Sequence, residues 1–294
     1  MMKPKNDILI LIVIFAVCIL KPVAWGLRLA EAHMPGARPA PEFKLKPIIL
    51  NDAGTEIKIT IEDVAKYHNE RTKEVRRRIL KNEGKSDAEI DKIIEQEFRG
   101  ADGKCPCISC AFRAVLLGIQ KLWGKEIPQR NDIKIISHLP SPGSMQCFEY
   151  IVGKENFVLS IPEKKKRGED IDIDNWNFLI IRQSTGDEFE VQVRDDVYPE
   201  GFFGLRKKVK VENSATKEEL DKFRVMWEEV RDTFLTKADW ELFEGIKEPF
   251  PIGGAIFFSL LITGAGSLLY VKNRKNRKSL KRLLKNPAIS DYSD

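Results

Sequence analysis

The chain has no phosphate-binding glycine loop, no dinucleotide fingerprint and no Ser/His/Asp arrangement, so neither nucleotide chemistry nor a serine hydrolase is indicated. No internal repeat or low-complexity tract divides it. Histidine is scarce, three in 294 residues, and no cysteine follows Cys147. Charge is missing altogether from residues 250–271, a run of 22, and no anion follows them before Asp291.

That last pair of absences sets a topology. As a helix rising about 1.5 Å per residue, residues 250–271 are long enough to cross a hydrocarbon core of roughly 30 Å. Lys272, Arg274, Lys275, Arg277, Lys278, Lys281, Arg282 and Lys285 follow at once. An apolar span with a basic flank reads as a stop-transfer helix, with residues 272–294 as a cytoplasmic tail. At the other end Lys3 and Lys5 precede apolar residues 8–20, the start of an export signal. Ala30-Glu31-Ala32 offers a cleavage site, and residues 8–27 could equally stay as an uncleaved anchor if Lys21 snorkels. Residues 1–32 are therefore a signal peptide or signal anchor. In both cases the expected location is the cytoplasmic (inner) membrane, with the domain facing the periplasm or outside.

The tail holds eight cations and two anions of a chain total of 49 and 44, which leaves 41 cations against 42 anions elsewhere. A nearly neutral domain gives no electrostatic reason to expect nucleic acid, and the tail suits anionic lipid. Residues 33–47, rich in proline, read as a linker. Residues 48–248 are long enough for one domain with its own core.

Within it, Asn51-Asp52-Ala53-Gly54 between two apolar runs predicts a hairpin. Thr60 with Asp63 predicts a helix start, with Val64, His68, Val75 and Ile79 on one face. Ser86 with Glu89 starts a second charged helix through Ile90, Ile94 and Phe98. A helix through Ala111, Phe112, Val115, Leu116, Ile119, Leu122 and Trp123 is apolar over most of its surface and is expected to be the central one. Short β-rich runs follow at 133–136, 157–161, 178–182 and 189–193, the last alternating in and out. A final helix from Thr216/Glu219 spaces Leu220, Phe223, Trp227, Val230 and Phe234 for packing on the sheet. The expected fold class is α+β, with a twisted antiparallel or mixed sheet packed by helices.

Cys105-Pro106-Cys107-Ile108-Ser109-Cys110 sits where a loop enters the central helix. A helix N-terminus favours thiolate over thiol, and a thiolate is both nucleophile and metal ligand. Zinc takes about four donors, so distant residues would have to complete a shell begun here. His68, Cys147 and His138 are the candidates. Cys107 and Cys110 can also be read as a redox dithiol at a helix start.

The motif Ile61-Glu62-Asp63-Val64-Ala65-Lys66-Tyr67-His68, then Cys105-Pro106, then Ala111-Phe112-Arg113-Ala114-Val115, resembles the E-subunit family of formylmethanofuran dehydrogenase. Phe148 to Gly153, and residues 178–186 with Arg182 and Thr185-Gly186, resemble that family's second helix and strand pair. The resemblance implies a dimerising α+β domain with His68 and Cys105 around a metal, often zinc, and does not carry a reaction. About 30 residues separate His68 from Cys105 where the family has a tight link, Cys107 stands at the family's glycine, and no C-terminal zinc ribbon is present.

The expectation is thus a membrane-anchored, extracytoplasmic zinc-binding protein similar to that formylmethanofuran dehydrogenase family. Its metal residues would be His68, Cys105, Cys107, Cys110 and Cys147, with Cys105 the candidate catalytic thiol. The alternative is a thiol–disulfide redox protein using Cys107 and Cys110. Ala255, Ser259, Thr263 and Ser267 recur every fourth residue in the span, a small-residue stripe that predicts a homodimer.

Overall fold

The structure, a computed structural model, describes Met34 and residues 36–100, 102–161 and 171–249. The expected signal segment, the apolar run at 250–271 with its small-residue stripe, and the basic tail lie outside the described residues. Among the described residues no helix is long and apolar enough to cross a membrane. The compact unit ends at Ile246.

Strands β1 (Ile48–Asp52) and β2 (Thr55–Ile59) form the expected hairpin, with Asp52 opposite Thr55. Its two-residue turn needs positive φ twice, and Ala53 and Gly54 supply it at 51° and 91°. Helix α1 (Ile61–Asn82) opens on the Thr60/Asp63 capping box, and α2 (Asp87–Glu97) on Ser86/Glu89. The two form a hairpin with its own small core of Leu80, Ile90, Ile94 and Phe98, fastened by the paired nitrogens of Arg76 on Glu97 at 2.8 and 3.0 Å. The buried face of α1 is set by Ile61, Val64, Ala65, His68, Thr72 and Leu80, while Val75 and Ile79 are only half-buried.

Helix α3 (Pro106–Trp123) is the centre of the molecule, and Ile108 through Phe112 are fully buried on it. It lies against a four-stranded sheet, in the order β4 (Phe157–Leu159), β3 (Ile133–Ser137), β5 (Asn177–Arg182), β6 (Asp187–Gln192). Gly118 makes that approach possible: a Cβ there would stand 2.8 Å from Ile180 of β5. The pair β3/β4 is parallel, bridged by helix α4 (Pro142–Val152), and the other pairs are antiparallel, so the sheet is mixed and the α+β reading holds. Parallel neighbours need a crossover, and α4 is that crossover.

A short helix α5 (Phe202–Lys207) runs into a π-helical turn at Lys208–Glu212. Helix α6 (Lys217–Thr236) follows, and α7 (Asp239–Leu242) closes the domain. Two expectations change here. Helix α6 packs on α3 rather than on the sheet, burying Phe223, Trp227, Val230 and Phe234 but also Met226 and Arg231, and Leu220 turns outward at 40% exposure. The proline-rich segment before β1 is also bound to the domain rather than hanging free. Met34 sits in the main core, Arg38 pairs with Glu228 and Asp232, and the buried Arg231 guanidinium donates to the Arg38 carbonyl at 2.7 Å. Buried cations need partners, and this strap supplies them.

Candidate functional site

Cys105 and Pro106 start α3 as N-cap and first helical residue, and the Cys105 sulfur accepts the Ile108 N–H at 3.4 Å. That places Cys107 in the first turn and Cys110 three residues further, on the same side one turn in. Helix α4 begins the same way, with Ser141 as N-cap and Pro142 first. Its second residue, Gly143, lies directly on the cysteines: a Cβ there would be 2.9 Å from the Cys105 sulfur and 3.4 Å from Cys107 Cβ. Two helix N-termini therefore meet at one point, and both direct partial positive charge at it.

The four described cysteines are free thiols, and their surroundings sort them. Cys107, the half-buried one, is lowered from the ordinary 9.0 to about 7. The Cys105 thiol donates to it, the Ser141 hydroxyl bonds to it, and the Arg206 and Lys210 charges from α5 and the π turn favour its thiolate; burial opposes them. Cys105 is pushed well up, because it keeps its proton to serve Cys107 and because it is buried. Cys110 is pushed well up by burial and by the neighbouring Cys107 and Cys147 sulfurs, and Cys147 on α4 rises by burial alone. Of the four, Cys107 is the one whose thiolate its surroundings favour.

His68 on α1 is fully buried, and its Nδ1 is 2.7 Å from Gln146 Oε1 on α4. Burial lowers its pKa, with the Gln146 contact partly offsetting that. Beside it the Tyr67 and Tyr150 rings meet at 5.1 Å, so this patch packs α1 on α4. His138 follows β3, where its carbonyl accepts from Asn175 and its N–H donates to the Asn177 carbonyl. Among the described residues no three His, Cys, Asp or Glu side chains are grouped so as to hold a metal ion. Arg113, part of the motif behind the family resemblance, has a structural role. It donates to the Phe234 carbonyl at 3.0 Å and to Asp239 at 2.5 Å, tying α3 to the end of α6.

Four residues that the fold sets around the cysteines were not found from sequence: Ser141, Gly143, Arg206 and Lys210. One signal was available, since Ser141-Pro142 repeats the helix-start pattern of Cys105-Pro106. Nothing local marks Arg206 or Lys210, whose charges act on Cys107 only through the tertiary fold. No protein family profile, curated protein or solved structure matches this chain.

Proposed function

We propose that this protein is a thiol–disulfide redox protein, anchored in the cytoplasmic membrane with its domain outside. Cys107 is the attacking thiolate, Cys110 the resolving thiol, and Cys105 the hydrogen-bond donor that poises Cys107. One observation carries the reading: Cys107 is half-buried at the meeting of two helix N-termini, held at about 7 by Cys105 and Ser141, with Cys110 a turn behind it. A thiol poised near ambient pH is the best compromise between thiolate fraction and nucleophilicity. The Cys107 thiolate attacks one sulfur of an external disulfide, forming a mixed disulfide and releasing a thiolate. Cys110, deprotonated, then attacks the Cys107 sulfur. The internal disulfide forms, the second external thiolate leaves, and two electrons have passed outward. The reverse sequence oxidises an external dithiol. The apolar run at 250–271 and its basic flank support the anchoring, and a domain outside the membrane would meet disulfides routinely.

The test uses the full-length chain with Cys18→Ala, purified anaerobically in detergent and mixed with dithiobis(nitrobenzoate). Two successive releases of thionitrobenzoate are expected. Cys107→Ser should abolish the first, and Cys110→Ser should keep it, lose the second and leave a trapped mixed disulfide. Equal reaction of the wild type and Cys107→Ser would overturn the proposal. So would near-stoichiometric zinc lost on Cys105→Ser, which would restore the metal reading of the sequence.

A further inference from the structure

Strand β2 has an open edge, and its residues fit that edge to a second copy of the chain. The hairpin β1/β2 is a sheet of its own. The far side of β1 is covered, since the Asn51 N–H donates to the Pro128 carbonyl at 2.9 Å and Asn51 bridges to Gln129. Among the described residues no strand or bridge lies along the far side of β2. An edge left so is a template for another strand.

The turn fixes what that edge offers. Asp52 and Thr55 close a two-residue loop, and such a closing pair exchanges both of its backbone hydrogen bonds. Antiparallel alternation then aims the backbone groups of Thr55, Ile57 and Ile59 at β1, and points the N–H and C=O of Glu56 and Lys58 outward. The Glu56 and Lys58 side chains are exposed on one face of the hairpin, while Ile57 is half-buried and Ile59 buried on the other. Among the described residues Asp52 is the one charged side chain of the hairpin in an ion pair, with Arg130 at 2.7 Å, which leaves the Glu56 and Lys58 charges unused.

Charge on an edge normally blocks pairing. Opposite charges two residues apart act differently on a copy related by a twofold axis. Outward backbone groups must meet outward groups, so the axis can pass at residue 56, 57 or 58. At 56 it sets Glu56 against Glu56, and at 58 Lys58 against Lys58, and like charges directly opposite are destabilising. At Ile57 it sets Glu56 opposite Lys58 on both sides of the axis. Each of those pairs then exchanges both backbone hydrogen bonds and gains an attractive charge contact. The edges of the four-stranded sheet offer no such match. Strand β6 carries Asp187, Glu188 and Glu190, which would set acid against acid, and β4 is only three residues long.

Independently of the thiol chemistry, we propose that the β2 edges of two copies pair antiparallel about Ile57. The two hairpins become one four-stranded sheet, and the protein is a homodimer through its domain.

Full-length chains carrying donor or acceptor fluorescent proteins at the C-terminus, reconstituted together in phosphatidylcholine vesicles, test this by energy transfer against protein-to-lipid ratio. Lys58→Glu and Glu56→Lys each set like charges at both pairs, and each alone should need roughly tenfold more protein for half-maximal transfer. The double variant Glu56→Lys/Lys58→Glu restores opposite charges and should match the wild type. A mixture of the two single variants, one with donor and one with acceptor, should match it too. In the wild type a carbodiimide should join Glu56 of one copy to Lys58 of another, read as a crosslinked peptide from the dimer band. Single variants that transfer as the wild type does would overturn the proposal, as would a loss that neither the double variant nor the mixture restores. A wild type with no transfer above that of unassociated chains would overturn it as well. So would a wild-type dimer whose crosslinks omit Glu56 and Lys58, since its contact would lie elsewhere in the chain.

Discussion

Cys105→Ala tests the heart of the site, because Cys105 is the leading cause of the lowered Cys107 value. In the wild type Cys107 titrates at about 7, so about half of it is thiolate at pH 7. Without the Cys105 donor, Ser141, Arg206 and Lys210 still favour the thiolate while burial opposes it. We expect the midpoint to rise by about one to two units, the amount that a lost hydrogen bond to a charged group is worth. The thiolate fraction at pH 7 then falls roughly five- to fiftyfold. Each remaining thiolate is more basic and about three to eight times more nucleophilic, so the net loss at pH 7 is only about two- to sixfold. Above the new midpoint the sign reverses, and the variant should outrun the wild type by about three- to eightfold. The assay is the first-phase rate of thionitrobenzoate release from pH 5 to pH 10, and the two profiles should cross. A wild-type midpoint near the ordinary 9.0 would refute the reasoning, as would a variant profile that runs parallel below the wild type at every pH.

Gly143→Ala should cost about 1–3 kcal/mol in chemical denaturation with an unchanged m-value, because the new methyl meets the Cys105 sulfur at 2.9 Å. The same displacement should raise the Cys107 midpoint. His68→Ala should lower stability by about 2–4 kcal/mol, through lost core volume and a broken contact to Gln146, with no change in the thiol kinetics. His68 also gives the wild type an acid dependence. Its folded pKa lies below the unfolded 6.5, so its neutral form's full contribution is present above 6.5 and is lost as pH falls toward the folded value, by about 1.4 kcal/mol per unit. His68→Ala should flatten that slope in urea titrations between pH 4 and 7. Asp239→Ala should destabilise by about 1–2 kcal/mol in thermal melts, since it leaves Arg113 on its carbonyl contact alone in a buried position.

Much of the fold was legible in the sequence because its signals are local. The three capping boxes at Thr60, Ser86 and Thr216 act within four residues, and each helix starts where they put it. The Asn51 to Gly54 turn does the same for the hairpin. Which face an element presents is less local. Leu220 fits the spacing of α6 but is 40% exposed, and Arg231, which spacing alone would send to solvent, is buried where the strap at Arg38 and Pro39 offers it carbonyls. The strap itself looked like a linker because proline-rich segments lack periodicity whether they are bound or free.

The site was half legible for the same physical reason. Three cysteines at a helix start are a local pattern, and the pattern is chemically ambiguous: a thiolate serves a metal as readily as a disulfide. What distinguishes the two uses is the count of donors reaching one point, a property of the tertiary fold. Here α4 brings Gly143 and Ser141 to the cysteines and sets Gln146 against His68. A thiol proton, a hydroxyl, two helix ends and two cations act on Cys107. That set favours one thiolate at Cys107 while Cys105 and Cys110 keep their protons, which is the state a dithiol needs before it attacks.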